Sequence, residues 1–155
     1  MSARTKARKR AVDALFAADL REEHPAVLLD ETYKQVEDRQ NQGPIFDYAR
    51  TLIDGVVDHQ GEIDTLLETY SEGWTLERMP NVDRAILRVS VWEIVYNDEI
   101  PDAVAIDEAV DLAKEYSTDA SGAFVNGLLT RISSTKKALE GFLLHFYKHP
   151  LKGVL

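Results

Sequence analysis

The chain has 155 residues, 45% hydrophobic and 29% charged, with no cysteine and a net charge of -9. That length suits one domain or two small helical sub-bundles. The absence of thiols excludes disulfide staples and thiolate chemistry and fits a reducing cytoplasm, no apolar run reaches the roughly 18 residues of a membrane span, and no apolar stretch follows the first positive charges as in a secretory signal.

Charge is distributed unevenly. Arg4, Lys6, Arg8, Lys9 and Arg10 place five positive charges and no acid in residues 1–10, so the remainder carries fourteen net negative charges. A basic arm on an acidic body repels polyanions everywhere except at one place. From about residue 5, Ala7, Ala11, Ala14, Leu15 and Ala18 recur at helical spacing, with Val12 and Phe16 beside them. His24-Pro25 ends this helix.

A second helix is expected within 26–42, anchored by Val27, Leu28, Leu29, Tyr33 and Val36, and Gly43-Pro44 is expected to break it. Ile45, Ala49, Leu52, Ile53, Val56 and Val57 then step by threes and fours, and after Gly61 the residues Ile63, Leu66, Leu67 and Tyr70 form another short helix. Residues 71–75 connect two halves. Asn81 is a candidate cap for a helix over 82–96, with Asp83 near its positive end. That helix is apolar on much of its circumference, which predicts a central position. Ile100-Pro101 ends it, and Val104, Ala105, Ala109, Leu112, Ala113 and Tyr116 form the next stripe. Ser117-Thr118-Asp119 is a loop rich in capping residues. Phe124, Val125, Leu128, Leu129 and Ile132 open a last helix reaching about residue 140. Gly127 inside it costs about 1 kcal/mol relative to alanine, which a close helix crossing would explain. Strand signals are nearly absent. The expected fold is all-α, about seven helices in two small bundles, 4–72 and 80–140. Together they form one domain over 1–140, and a tail follows over 141–155.

The basic run is the first candidate site. Held on an amphipathic helix, its cations keep a fixed orientation; the plain alternative is a frayed, solvated terminus. Five phosphate contacts would set a salt slope of at most roughly -3.5 on single-stranded RNA. Phe16, Tyr70 and Phe124 are candidates for stacking on unpaired bases, though an aromatic at helical spacing is more often core. His145 and His149 have a spacing that can hold zinc, but no third ligand is evident, so no metal is expected. Asp107-Glu108 and Glu22-Glu23 read as solvated faces, and no phosphate-binding loop or nucleophile motif is present, so neither catalysis nor a cofactor is expected. Arg84 and Arg88 share one helix ridge and read either as surface ion pairs or as the edge of a partner surface.

Val82-Asp-Arg-Ala-Ile-Leu-Arg88, Ile100-Pro101 followed by Val104-Ala-Ile-Asp-Glu-Ala-Val-Asp-Leu-Ala-Lys114, and Phe124-Val-Asn-Gly127 stand in an order and spacing that resemble the NusB family of bacterial antitermination factors. The resemblance runs from about residue 4 to 132, and Gly73-Trp74-Thr75-Leu76 looks like actinobacterial members. It implies an all-helical pair of bundles. It also implies a non-catalytic adaptor that pairs with the ribosomal protein NusE, recognises boxA in nascent RNA and helps RNA polymerase read through terminators, notably in ribosomal RNA operons. Arg4, Lys6, Arg8 and Arg10 occupy the family's RNA-contacting start, and Tyr70 and Phe124 match aromatic positions near the RNA. Phe16 stands where the family often has tyrosine. Glu77, Asp83 and Arg84 lie in the region implied to face NusE.

Two departures stand out. Ala120 and Gly122 replace charged or polar groups of other members, and the segment Phe142-Leu-Leu-His-Phe-Tyr147 is more apolar than the family's polar ends. The alternative readings are a homodimeric interaction module without RNA binding and the leading module of a ribosomal RNA cytosine methyltransferase. The second lacks a nucleotide-binding glycine loop and a methyltransferase domain.

Overall fold

A computed structural model describes residues 2–148. Its helices are α1 (Ala3–Arg21), α2 (Pro25–Gln35), α3 (Arg39–Tyr70), α4 (Asn81–Tyr96), α5 (Asp102–Tyr116) and α6 (Asp119–Lys148), with a 3-10 turn at Leu76–Arg78 between α3 and α4. No strand occurs among the described residues.

Local chemistry sets the helix starts. Ser2 caps α1, its hydroxyl accepting from the Thr5 amide at 3.1 Å. Pro25 opens α2, behind a His24 ring that accepts from the Ala26 amide at 3.1 Å. Thr118 caps α6, accepting from the Ser121 amide at 3.0 Å. Asn81 does not cap α4: Pro80 holds the cap position, and the Asn81 side chain accepts from Arg84 instead.

The expected break at Gly43-Pro44 is absent. The chain leaves the helix at 36–38, and Pro44 is the sixth residue of α3, where it forgoes one ladder bond, that to the Gln40 carbonyl, and the helix continues through it. The two helices expected over 45–57 and 63–70 are halves of α3, bent at His59 (φ -119°, ψ 17°). Merging them gives six helices, not seven.

Helices α1–α3 pack together, as do α4–α6, and α1 and α3 both pack on α4, so one hydrophobic core runs through both groups. α1 feeds it with alanines, Ala7 and Ala11 fully buried, which lets neighbouring backbones approach. α4 is central: it touches α1, α3, α5 and α6 and buries Ala85, Ile86, Leu87, Val89, Val91 and Ile94. The close approach expected at Gly127 is not there, since an added Cβ would meet only the flexible end of Arg131 at 3.3 Å. It occurs at Gly55, where a Cβ would fall 2.1 Å from the Trp92 indole nitrogen. The start of α5 is pinned to α6 by Asp102, which accepts from Ser133 (2.6 Å) and Lys136 (2.8 Å), and Lys136 also donates to the Ile94 carbonyl of α4 (2.8 Å).

The backbone of the expected tail continues α6 to Lys148. The apolar side chains that set the tail apart, and His149 with the residues after it, lie outside the described part of the chain. No group of three metal-ligating side chains occurs among the described residues.

Candidate nucleic-acid interface

The basic run divides into two sets once it is wound into α1. Arg8 points inward and is 3% exposed. Its Nε and Nη2 donate to both carboxylate oxygens of Glu93 on α4, at 2.8 and 2.9 Å. The Tyr48 hydroxyl of α3 donates to the same carboxylate at 2.6 Å, and Glu108 of α5 stands 3.7 Å from the guanidinium. Burial disfavours the Arg8 charge, but the Glu93 hydrogen bonds and charge outweigh it and hold the pKa above its usual value. Burial, then the Glu93 bond and charge, push the Tyr48 phenol well up. Arg4 lies one turn earlier on the same side, its guanidinium 4.7 Å from the Tyr48 ring centre and 3.6 Å from Glu99. The expectation that Arg8 touches RNA is therefore corrected: it is a buried clamp, because only a paired carboxylate makes such a charge tolerable in the interior.

Lys6, Lys9 and Arg10 lie on another side of α1 and line a groove of about 360 Å³ with Asp13, Gln42 and Tyr116. Lys6 is exposed. Lys9 pairs with Glu115 at 3.0 Å, and Arg10 rests over the Phe46 ring at 5.3 Å. Burial and the nearby Asp13 and Glu115 push the Tyr116 phenol up to about 12 against the pull of Arg10, so it keeps its proton as a donor at neutral pH.

Asp13 and Tyr116 also line a recess with Val12, Phe16 and Val82. Past Val82, at the start of α4, a cleft of about 520 Å³ is lined by Trp74 and Phe124 together with Arg78, Met79, Pro80, Asp83 and Ser121. The two rings meet edge to face, centres 6.3 Å apart. Tyr70 is half-buried against the core, and its carbonyl accepts from Arg131 Nε at 2.9 Å. The groove and the recess share Asp13 and Tyr116, so the groove cations adjoin a surface lined by Phe16 and Tyr116.

The residues expected to meet a protein partner are largely committed elsewhere. Glu77 is exposed. Asp83 is 2% exposed and accepts from the Ser121 hydroxyl at 2.9 Å, so it is not a surface group. Arg84 braces the 3-10 turn, donating to the Leu76 carbonyl at 3.2 Å and to Asn81. Arg88 forms a two-pronged pair with Asp64 of α3 (2.9 and 3.1 Å) and stands 3.6 Å from Asp19 of α1, locking three helices. For Arg88, and for Asp83, the reading as a partner edge gives way to an internal tie. Sequence reasoning passed over Trp74, Arg78 and Arg131. The one signal was a tryptophan directly after a glycine in a connector.

The sequence model of the NusB family matches residues 5–134. The chain belongs to the NusB family. A relative from Clavibacter sepedonicus called transcription antitermination protein NusB is 55% identical over 137 residues, covering 88% of this chain and 99% of its own. Among solved structures, T. maritima NusB superposes with a TM-score of 0.76 at 36% identity, covering 84% of this chain and 90% of its own. A structure of the antitermination factors NusB and NusE in complex with double-stranded RNA contains a chain that superposes with a TM-score of 0.75 at 31% identity, covering 87% of this chain and 98% of its own. The all-helical fold expected of the family is the fold observed.

Proposed function

We propose that this chain is a non-catalytic antitermination factor that pairs with NusE, binds boxA RNA in nascent transcripts and promotes read-through by RNA polymerase. The observation that carries this reading is the groove holding Lys6, Lys9 and Arg10. It is the cationic end of a face lined with aromatics on an otherwise acidic body. The clamp beneath it, Arg8 on Glu93, fixes the orientation of the three cations before RNA arrives, which lowers the ordering cost of binding. Phosphate contacts supply affinity, and unpaired bases along the aromatic part of the face supply selectivity. NusE adds the second half of the surface, and Glu77 remains the exposed member of the expected partner set.

The test is a titration of boxA RNA in a salt series, with and without NusE. Three groove cations set a slope of about -2, shallower than five contacts would give. The double substitution Lys6→Glu, Arg10→Glu weakens binding and flattens that slope. Unchanged affinity in this variant would refute the proposal.

A further inference from the structure

The connector between α3 and α4 is a built turn. Glu72 (φ 55°) and Gly73 (φ 94°) both adopt left-handed backbone, which an L-residue such as glutamate rarely takes. The buried Ser71 hydroxyl reaches the carbonyls of Glu68 and Trp74 and closes the turn. The product of this arrangement is an indole that stays 53% exposed. A single exposed apolar residue carries no message by itself. Here, however, the indole packs edge to face on Phe124, and the two rings together line a concave site. Arg78 stands at that site and pairs with no carboxylate among the described residues. On the far side of the two rings, Arg131 lines the adjoining recess. Asp83 lies buried beneath the cleft, with one carboxylate oxygen taken by Ser121 and the other sealed from solvent.

We infer that the cleft lined by the Trp74–Phe124 pair is a stacking site for one unpaired nucleobase of RNA, laid on the exposed face of the Trp74 indole, with Arg78 taking the adjoining phosphate. This rests on the RNA-binding reading and extends it past Phe124, onto residues that no expectation had assigned. A cleft of about 520 Å³ lies in the size range of small-molecule sites. An exposed aromatic face and a cation beside it are the components of single-strand binding. An apolar peptide side chain placed there would bring no anion to Arg78, whereas the phosphate beside a base does.

The experiment is RNA binding by Trp74→Ala, Trp74→Phe and Arg78→Gln, with boxA RNAs in which single bases are replaced by abasic sites. Trp74→Ala loses about 5- to 150-fold in affinity, the range for one stacked base, with no change in salt slope. Trp74→Phe keeps most of the affinity. Arg78→Gln reduces the slope by about 0.7. One abasic position weakens the parent chain but not Trp74→Ala. If Trp74→Ala binds RNA like the parent, the inference fails. It also fails if that variant weakens only the NusE complex measured without RNA, because the occupant is then a protein. Failure of the parent chain to bind RNA at all would instead overturn the proposed function.

Discussion

Replacing Arg8 separates a clamp from a phosphate contact. The Arg8 side chain is 4% exposed and that of Glu93 is 1% exposed, so Arg8→Ala strands a buried carboxylate with the Tyr48 hydroxyl as its remaining close donor. Breaking such a pair costs about 3–5 kcal/mol. For a domain of this size each kcal/mol moves Tm by about 2–4 °C, so the midpoint falls by roughly 6–20 °C. Removing both charges with Arg8→Met and Glu93→Met restores much of that loss, because no orphan ion remains. Urea unfolding followed by circular dichroism gives the stabilities. RNA titration well below Tm gives the salt slope, which stays at its parent value in both variants. The reasoning is refuted if Arg8→Ala stays within about 1 kcal/mol of the parent while its salt slope becomes shallower, for then Arg8 contacts phosphate.

Two further outcomes follow from ion pairs at the edges of the fold. Burial raises the Asp102 pKa, but hydrogen bonds from Lys136 and Ser133 more than reverse it and leave the carboxyl below its ordinary value. Its stabilising contribution is therefore present above the ordinary carboxylate range and lost as pH falls through the lowered value. Urea midpoints of Asp102→Asn should lie below the parent at about pH 7 and converge with it below about pH 4; a gap that persists in acid contradicts the assignment. Glu115 holds Lys9 at 3.0 Å on the exposed side of the groove. Because such pairs are worth about 0.2–1 kcal/mol, Glu115→Gln should raise affinity for boxA and for a scrambled RNA alike, by about 1.4- to 5-fold in fluorescence anisotropy. A loss of affinity would mean that Glu115 contacts the complex directly.

Helices were legible because burial imposes a period on the sequence. α4 shows this best: apolar residues around most of its circumference placed it at the centre, where α1, α3, α5 and α6 surround it. Features set by one distant partner were not legible. Arg8 looks like its basic neighbours until helical phase turns it toward Glu93, 85 residues away. Gly127 and Gly55 look alike in sequence, yet only Gly55 has an aromatic ring against it, and that ring belongs to another helix. Gly43-Pro44 reads as a stop because proline usually is one, but in α3 it removes a single ladder donor and the helix runs on to Tyr70. At the candidate interface, Lys6, Lys9 and Arg10 do fall together, as their spacing on one helix requires. Trp74 was hidden in a connector, since nothing local says that a turn will display a side chain beside Phe124.

The fastening of α1 has a consequence for synthesis on the ribosome. The first helix to emerge is held by Arg8 on Glu93, Thr5 on Glu108 and Lys9 on Glu115, bonds that close loops of 85, 103 and 106 residues. Such long loops close late, because their entropy is spent before any contact repays it. The basic helix therefore spends most of translation without its anchors. The nascent chain completes its cationic groove, which takes in Tyr116, only after α5 has left the exit tunnel, and not when the segment that carries the charges emerges.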